Sequence, residues 1–446
     1  MKTRSVLVRF PGYLFGPHEL TPERQLAVLA SCLVEAGHET TIYDYATTDM
    51  SRRLFPEELR GQESEVVEEL RGEISGSLFG AARRRRKQAD IARQFVERQD
   101  KVVAQLAAEI GCRLGLAFAG FHVATGAQLA GTVRFAQLLR SHVPNLPTVA
   151  FGPFVDFFAD HIAEMTDAFD CLCVGDIEQT LVDFASVASD RRAWPKIPNL
   201  VYRDRNRILE TERRSQFNLD VLPQPLYDPS VYPALEGHGK LRLFSVEDSR
   251  GGMSRGHGVP WQVFSRQGTR LRSSRSVCDE MQTIQQRYGG RAFHFAGRGA
   301  SGVHIDAIAY EILSRGLDVL YSRDASIGSI DVSSFASLKV SGCHAVSFQV
   351  DSGSQRLLDR HYGRDFCISE VENTLRSARS ADIFTVAEFC YPCPEDDYHT
   401  QAETLRVIER TKPHGIRIEY PEVVPGTAWC KRPASFGYEI DHNGYL

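Results

Sequence analysis

A chain of 446 residues exceeds one ordinary compact domain, and 42% hydrophobic with 24% charged residues is the balance of folded, soluble protein. Lys and Arg total 52 against 57 Asp and Glu, a formal net charge of −5, so no global field draws the chain to nucleic acid or anionic lipid. No apolar run reaches the roughly 18–20 residues that cross a bilayer, the start is not a signal-peptide core, and the ten cysteines imply no disulfide framework. The expectation is a cytoplasmic protein without membrane or nucleic-acid partners.

The first 205 residues alternate short apolar runs with amphipathic stretches, as a parallel sheet flanked by helices requires. Strands are expected at 5–10, 40–45, 114–120, 148–152 and 171–175. Helices are expected at 23–36, 126–142 and 177–188, where apolar residues recur at i, i+3, i+4 and i+7. This half reads as an α/β, doubly wound, Rossmann-like domain. Between about 50 and 111 a charge-dense helical insertion interrupts it, including Arg83-Arg84-Arg85-Arg86-Lys87. No aromatics interleave with that basic run, so a solvated hairpin is favoured over a nucleic-acid patch, with a partner-docking arm as the alternative.

Residues 206–239 carry Pro223, Pro225, Pro229 and Pro233 and read as a linker over the surface. From 240 to 446 the alternation runs six times. Strands fall near 241–247, 292–297, 317–323, 345–351, 384–391 and 415–421, with helices at 274–288, 304–315, 333–341, 369–381 and 398–412. Six units, short of the eight of a closed barrel, indicate a partial (β/α)6 barrel with a binding site at the C-terminal strand ends.

Six short segments, in order, resemble the cobalamin-binding radical S-adenosylmethionine (AdoMet) proteins, from Ser5 to about Gly437. Phe151-Gly152-Pro153 matches a Gly-Gly-Pro turn, and Gly175-Asp176-Ile177-Glu178-Gln179-Thr180 a Gly-Glu-x-Glu-x-Thr segment. Gly268 to Ser274 is similar to G-x-x-R-x-R-S, and Val350 to Gln355 to G-I-E-S-G-S-Q. Tyr391 to Asp396 is similar to G-x-P-G-E-T, and Pro425-Gly426-Thr427 is the closing P-G-T. The resemblance implies a cobalamin-binding first domain and a barrel of radical-AdoMet type. It departs from the family at one place. The C-x3-C-x2-C loop whose thiolates hold a [4Fe–4S] cluster corresponds to 249–259, where Gly252, Gly256 and Val259 occupy the ligand positions. Neither glycine nor valine donates to iron, and His257 alone does not hold a cluster. The cluster, and with it reductive AdoMet cleavage, is expected to be absent.

For cobalamin, the resemblance points to the loops after strands one, three, four and five: Pro11, Gly12, Tyr13, His18, Gly120, His122, Thr125, Gly152, Pro153, Phe154, Gly175, Asp176, Glu178 and Thr180. Glycines permit close approach, and helix starts near Gln128 and Ile177 suit tail phosphate or amide groups; ordinary βα turns have the same composition. His18 or His122 are the candidates to face cobalt, or are plain loop histidines. For AdoMet, the resemblance points to Arg270 or Arg272 for the carboxylate and to Asp351 with Ser352 for the ribose. The alternatives are solvated arginines and a helix-capping aspartate.

Arg298, within Ala296-Gly297-Arg298-Gly299-Ala300, stands where relatives often carry acids. It suits an anionic substrate, or pairs with a neighbouring carboxylate. Cys390 and Cys393 form one C-x2-C pair, half of a zinc site, and read as structural, with Cys393 a candidate to face the cavity. Catalytic candidates are thus Arg298, Cys393 and His257. The leading expectation is a cobalamin-dependent, methyltransferase-like enzyme of small-molecule biosynthesis working without a cluster. A catalytically silent relative serving as a partner subunit is the rival, and a radical enzyme with non-standard cluster ligands a third reading.

Overall fold

The computed structural model describes residues 2–11, 16–71, 78–113, 115–205, 207–216, 218–251, 268–297, 299–421, 423–425 and 427–439. The chain divides into two compact units. The first comprises Met1–Ser215 and Pro225–Leu241; the second comprises Gln216–Gln224 and Arg242–Gly444.

The first unit is a seven-stranded sheet of β1 (Arg4–Arg9), β2 (Glu39–Asp44), β3 (Leu116–His122), β4 (Thr148–Phe151), β5 (Cys171–Cys173), β6 (Leu200–Asp204) and β7 (Arg207–Glu210). Its order is β2-β1-β3-β4-β5-β6-β7, with the first five strands parallel, β6 antiparallel to β5, and β7 antiparallel to β6. β1 and β4 are buried along nearly their whole length, as strands covered on both faces must be. The helices are α1 (Arg24–Glu35), α2 (Thr48–Leu54), α3 (Glu63–Arg71), α4 (Leu78–Gly111), α5 (Gly126–His142), α6 (Pro153–Met165) and α7 (Glu178–Val187). α2 to α4 form the charged insertion, and the last turns of α4 pack Val102, Val103, Leu106 and Ile110 into the main core.

Three features differ from the sequence reading. β3 runs two residues later than expected, so Gly120 and His122 lie inside the strand and not on a loop. The hairpin β6–β7, unmarked in the sequence reading, extends the sheet across the expected boundary at 205, because Val201 and Tyr202 bury against the sheet edge. The stretch 206–239 is largely exposed, as expected of a surface linker, but is anchored by buried side chains. Leu219, Tyr227 and Tyr232 are buried, and residues 225–241 follow the first unit through the bonds Leu226 N–H to Ala27 O (3.0 Å) and Ile42 N–H to Val231 O (2.7 Å). Prolines removed its periodic pattern but left enough aromatic surface to bury.

The second unit is a six-stranded, all-parallel sheet in sequential order. Its strands are β8 (Leu243–Val246), β11 (Ala292–Phe295), β12 (Leu320–Ser326), β13 (Cys343–Asp351), β14 (Phe384–Cys390) and β15 (Gly415–Glu419). The short strands β9 (Ser249–Arg250) and β10 (Arg270–Leu271) pair antiparallel. Helices α8 (Ser274–Tyr288), α9 (Gly302–Ser314), α10 (Phe335–Val340), α11 (Ile368–Ser380) and α12 (Tyr398–Thr411) fill the crossovers. Ser273 caps α8 by accepting from Ser276 N–H (3.1 Å), and Asp397 caps α12 through His399 and Thr400 N–H. One sheet face carries Phe244, Val246, Phe293, Phe295, Val346 and Phe348, all buried. A side chain at Gly290 would meet both Phe244 and Ile284 of α8, so this is the face the helices cover. No described helix is long and apolar enough to cross a membrane.

Candidate functional site

In the first unit the chain leaves β1 toward β2 on one side and later enters β3 on the other, which makes the β1/β3 C-terminal edge the topological switch point where open α/β sheets bind ligands. The parallel register sets Arg9 beside both Asp44 and His122, so the last residues of three neighbouring strands form one row. Asp44 is fully buried, 2.5 Å from the Lys240 ammonium and 3.5 Å from the Arg9 guanidinium, and accepts from the Tyr232 hydroxyl and from Ala46 N–H (3.0 Å). Burial alone would push its carboxyl up, but Lys240 and Arg9 outweigh burial and hold it below the usual carboxylate range. The same two cations donate to the Glu19 and Thr21 carbonyls, fastening the turn after β1. Gln128 donates to the Glu19 carboxylate (2.8 Å) and accepts from Ala124 N–H (2.8 Å), tying that turn to the loop after β3.

His122 is buried with its ring 5.9 Å from that of Phe151, and its Nδ1 has no hydrogen-bond partner among the described residues. Burial holds the imidazole below its ordinary pKa. Gly152 adopts φ +118°, and a Cβ there would sit 2.6 Å from Val123 O, so only glycine lets α6 start this close to the β3 loop. Pro153 opens α6, and Phe154 stacks on Phe158 at 4.5 Å. Gly175 N–H donates to Asp156 (2.7 Å), and Asp176 O accepts from Asn199 (2.7 Å). Thr125 precedes α5, and buried Thr180 has an unpartnered hydroxyl among the described residues.

These placements qualify the expected roles. Gly120 packs between Leu7 and Phe151, where its missing side chain serves sheet packing. His18 is exposed on a short turn, while Pro11 is buried. Glu178 already puts a carboxylate in the first turn of α7, and Gln128 is committed to Glu19 and Ala124, so neither helix start is an open anion site. Gly12 and Tyr13 lie outside the described residues.

In the second unit the AdoMet candidates are engaged internally. Arg272 is buried, with its guanidinium 2.6 Å from Glu280 and further bonds to Glu247 O (3.2 Å) and the Ser276 hydroxyl (3.0 Å). It is neither a solvated charge nor an open grip for a carboxylate. Arg270 donates to Gln216 O (2.7 Å). Asp351 has φ +67° and does not cap a helix; its carboxylate accepts from Arg364 Nε (2.6 Å) and Gln349 (3.1 Å). The Ser352 hydroxyl accepts from Ser354 N–H (3.1 Å). Gly252, Gly256, His257, Val259 and Arg298 lie outside the described residues. Their flanks are tightly built: a Cβ at Gly297 would sit 2.0 Å from the Asp248 carboxylate, which itself pairs with buried Arg323 at 3.0 Å. Burial pushes the Cys393 thiol up to about 12 and the Cys390 thiol up to about 11, which argues against Cys393 as a nucleophile.

The sheet face that the described helices do not cover carries a polar set that sequence reasoning missed. His294 Nδ1 is 2.9 Å from the Ser322 hydroxyl, and its Nε2 is 4.0 Å from Asp324. Ser347 donates to Glu388 (2.7 Å), which also pairs with Arg417 at 2.7 Å. The available signal was a period of two: Ser322, Asp324 and Ser326 alternate with Tyr321, Arg323 and Ala325 along a parallel strand whose other face is buried.

No family model matches the chain. It is 21% identical over 314 residues to an uncharacterized methyltransferase, PH0819, from Pyrococcus horikoshii, covering 68% of this chain and 66%, just under two thirds, of that relative. Among solved structures it is similar to the radical AdoMet methyltransferase TsrM from Kitasatospora setae, solved with its tryptophan substrate and an aza-SAM analogue. That match has a TM-score of 0.69 and 14% identity, and covers 96% of this chain and 75% of that one. The cobalamin-dependent AdoMet radical enzyme OxsB, with aqua-cobalamin and AdoMet bound, matches at TM-score 0.63 and 15% identity, over 98% of this chain and 56% of that one. The chain has the fold of the cobalamin-dependent radical AdoMet proteins, a Rossmann-like domain followed by a radical-AdoMet-type partial barrel.

Proposed function

We propose that the chain is a cobalamin-binding, methyltransferase-like enzyme acting on a small molecule without an iron–sulfur cluster. The carrying observation is the switch-point edge of the first unit. There the buried Thr180 hydroxyl and His122 Nδ1 have no hydrogen-bond partner among the described residues, beside the close turn that Gly152 permits. These donors and acceptors suit the amide-rich rim and tail of a corrin, and the likeness to cobalamin-bound structures supports the assignment. When bound, cobalamin supplies a cobalt centre that accepts and passes on a methyl group. Arg9, Lys240, Glu19 and Gln128 hold the two flanking loops in place. Glycine and valine at 252, 256 and 259 supply no iron ligand, which supports the absence of a cluster.

The fit to AdoMet is poorer, since Arg272 and Asp351 spend their charges on Glu280 and Arg364. That observation favours a second reading, a cofactor-binding partner subunit that no longer turns over. Anaerobic purification, supplied with hydroxocobalamin and followed by a visible spectrum and iron and sulfide analysis, tests both. The enzyme reading expects corrin bands without iron. Failure to retain any corrin at millimolar supply overturns it, and four irons per chain restore the radical reading.

A further inference from the structure

We propose that β15, the last strand of the second unit's sheet, is a self-association edge that pairs antiparallel with β15 of a second copy of this chain, about a two-fold axis through Ile418. Three observations carry it. β15 stands at the end of the sheet order and, among the described residues, is paired on one side only, to β14. Tyr391 N–H donates to Glu419 O (2.8 Å), so the backbone of Glu419 faces β14. By alternation that of Arg417 does too, while the N–H and C=O groups of Ile416 and Ile418 face away from the sheet, with Tyr420 next in the alternation. Ile416 and Ile418 stand in register with buried Ala387 and Phe389, on the face that helices cover elsewhere, yet are 48% and 62% exposed, and Tyr420 is 78% exposed. The opposite edge strand, β8, buries both Phe244 and Val246, so such exposure is particular to β15.

The residues of the edge decide what fits it. Antiparallel pairing about Ile418 sets Ile418 against its own copy and Ile416 against Tyr420 of the second chain, each pair exchanging both N–H···O bonds. On the other face it sets Arg417 against Glu419 of the second chain, twice by symmetry. Every apolar side chain then meets an apolar one, and every charge its opposite. A slip of one residue sets isoleucine against a charge, and moving the axis to Arg417 or Glu419 sets like charges face to face. Arg417 already meets Glu388 at 2.7 Å and stands 3.9 Å from Glu419 of its own strand, so the second copy extends a row of alternating charges and requires no unpaired group. Pro421, which lacks an N–H, ends the ladder one residue beyond Tyr420. The edge is therefore complementary to itself in one register, and the contact closes as a dimer because each copy covers the other's edge.

The test is sedimentation velocity on the full chain from about 1 to about 200 µM, a span suited to a contact smaller than the standard interface. Hydrogen exchange of the 415–420 segment is read at both ends of that range. The expected result is a monomer-to-dimer transition, with amide protection at 415–420 rising as the dimer forms. I418K sets two ammonium groups together on the axis, and R417E and E419R each set like charges against one another, so each is expected to weaken association at least about tenfold. Mixing R417E with E419R is expected to restore it, since the two altered strands are complementary to each other but not to themselves. Circular dichroism checks the fold of each variant, and the mixture is a control that a misfolded chain does not pass. A wild type that stays monomeric throughout, leaving the edge to a different chain, overturns the proposal. So does protection at 415–420 that ignores concentration, a dimer that persists in folded I418K, or a mixture that stays monomeric.

Discussion

Lys240 sets its ammonium 2.5 Å from the Asp44 carboxylate, joining the end of the proline-rich stretch to the end of β2 inside the first unit. Both side chains are at most 2% exposed, so neither charge has water to fall back on. Replacing Lys240 by Met leaves Asp44 with Arg9 at 3.5 Å and the Tyr232 hydroxyl. Lys240→Met is expected to lower the unfolding free energy by about 3–5 kcal/mol, and a Lys240→Met/Asp44→Asn double variant to lose less than the sum of the single changes. Urea titrations of the four proteins read both numbers.

His122, next in the same row, gives the first unit an acid sensitivity. Burial depresses its pKa below the ordinary 6.5, so near that value the unfolded chain takes up a proton that the folded chain refuses. The contribution is fully present above pH 6.5 and is lost as pH falls through the window below it. The depressed Asp44 carboxyl acts in the same direction at lower pH, below its ordinary 3.8. Wild-type melting temperature is expected to fall as pH drops below 6.5, with the slope flattened in His122→Gln. An unchanged slope in that variant would place the acid sensitivity elsewhere.

Gly152→Ala tests the backbone cradle. The added Cβ meets Val123 O at 2.6 Å in a conformation, φ +118°, that alanine rarely adopts. The expected outcome is a loss of about 1–3 kcal/mol in stability and at least a tenfold weakening of hydroxocobalamin binding by spectral titration, whereas Gly175→Ala, which meets nothing within 4 Å, is milder.

Arg272 and Glu280, 2.6 Å apart and at most 1% exposed, make a structural pair. Arg272→Ala or Glu280→Ala is expected to cost about 3–5 kcal/mol, while Arg272→Met with Glu280→Leu recovers most of it. Recovery of stability together with unchanged AdoMet binding in equilibrium dialysis would establish that Arg272 has no part in holding that molecule.

Thiol chemistry separates exposed from buried cysteines. Cys112 and Cys367 are exposed, while Cys390 and Cys393 sit beside the Tyr362 hydroxyl with thiols pushed up to about 11 and about 12. Iodoacetamide at pH 8 is expected to label Cys112 and Cys367 first and to reach Cys390 and Cys393 only after denaturation, read by peptide mass spectrometry.

Much of the architecture was legible in the sequence because local periodicity reports burial. The parallel strands of both units and helices such as 126–142 and 274–288 follow from apolar spacing alone. That positions 252, 256 and 259 are glycine, glycine and valine, with no side-chain iron donor, is likewise read from the sequence. Pairing was not legible. That Arg272 is consumed by Glu280, that Asp351 is answered by Arg364, and that Lys240 belongs with Asp44 across 196 positions of chain are outcomes of which elements pack together. His294, Ser322 and Asp324 look ordinary in their own strands and become a constellation only once β11 and β12 align in register. Residue type and spacing set which faces bury; the charges that meet on them are settled by long-range contacts, since electrostatic energy depends on distance in space and not along the chain.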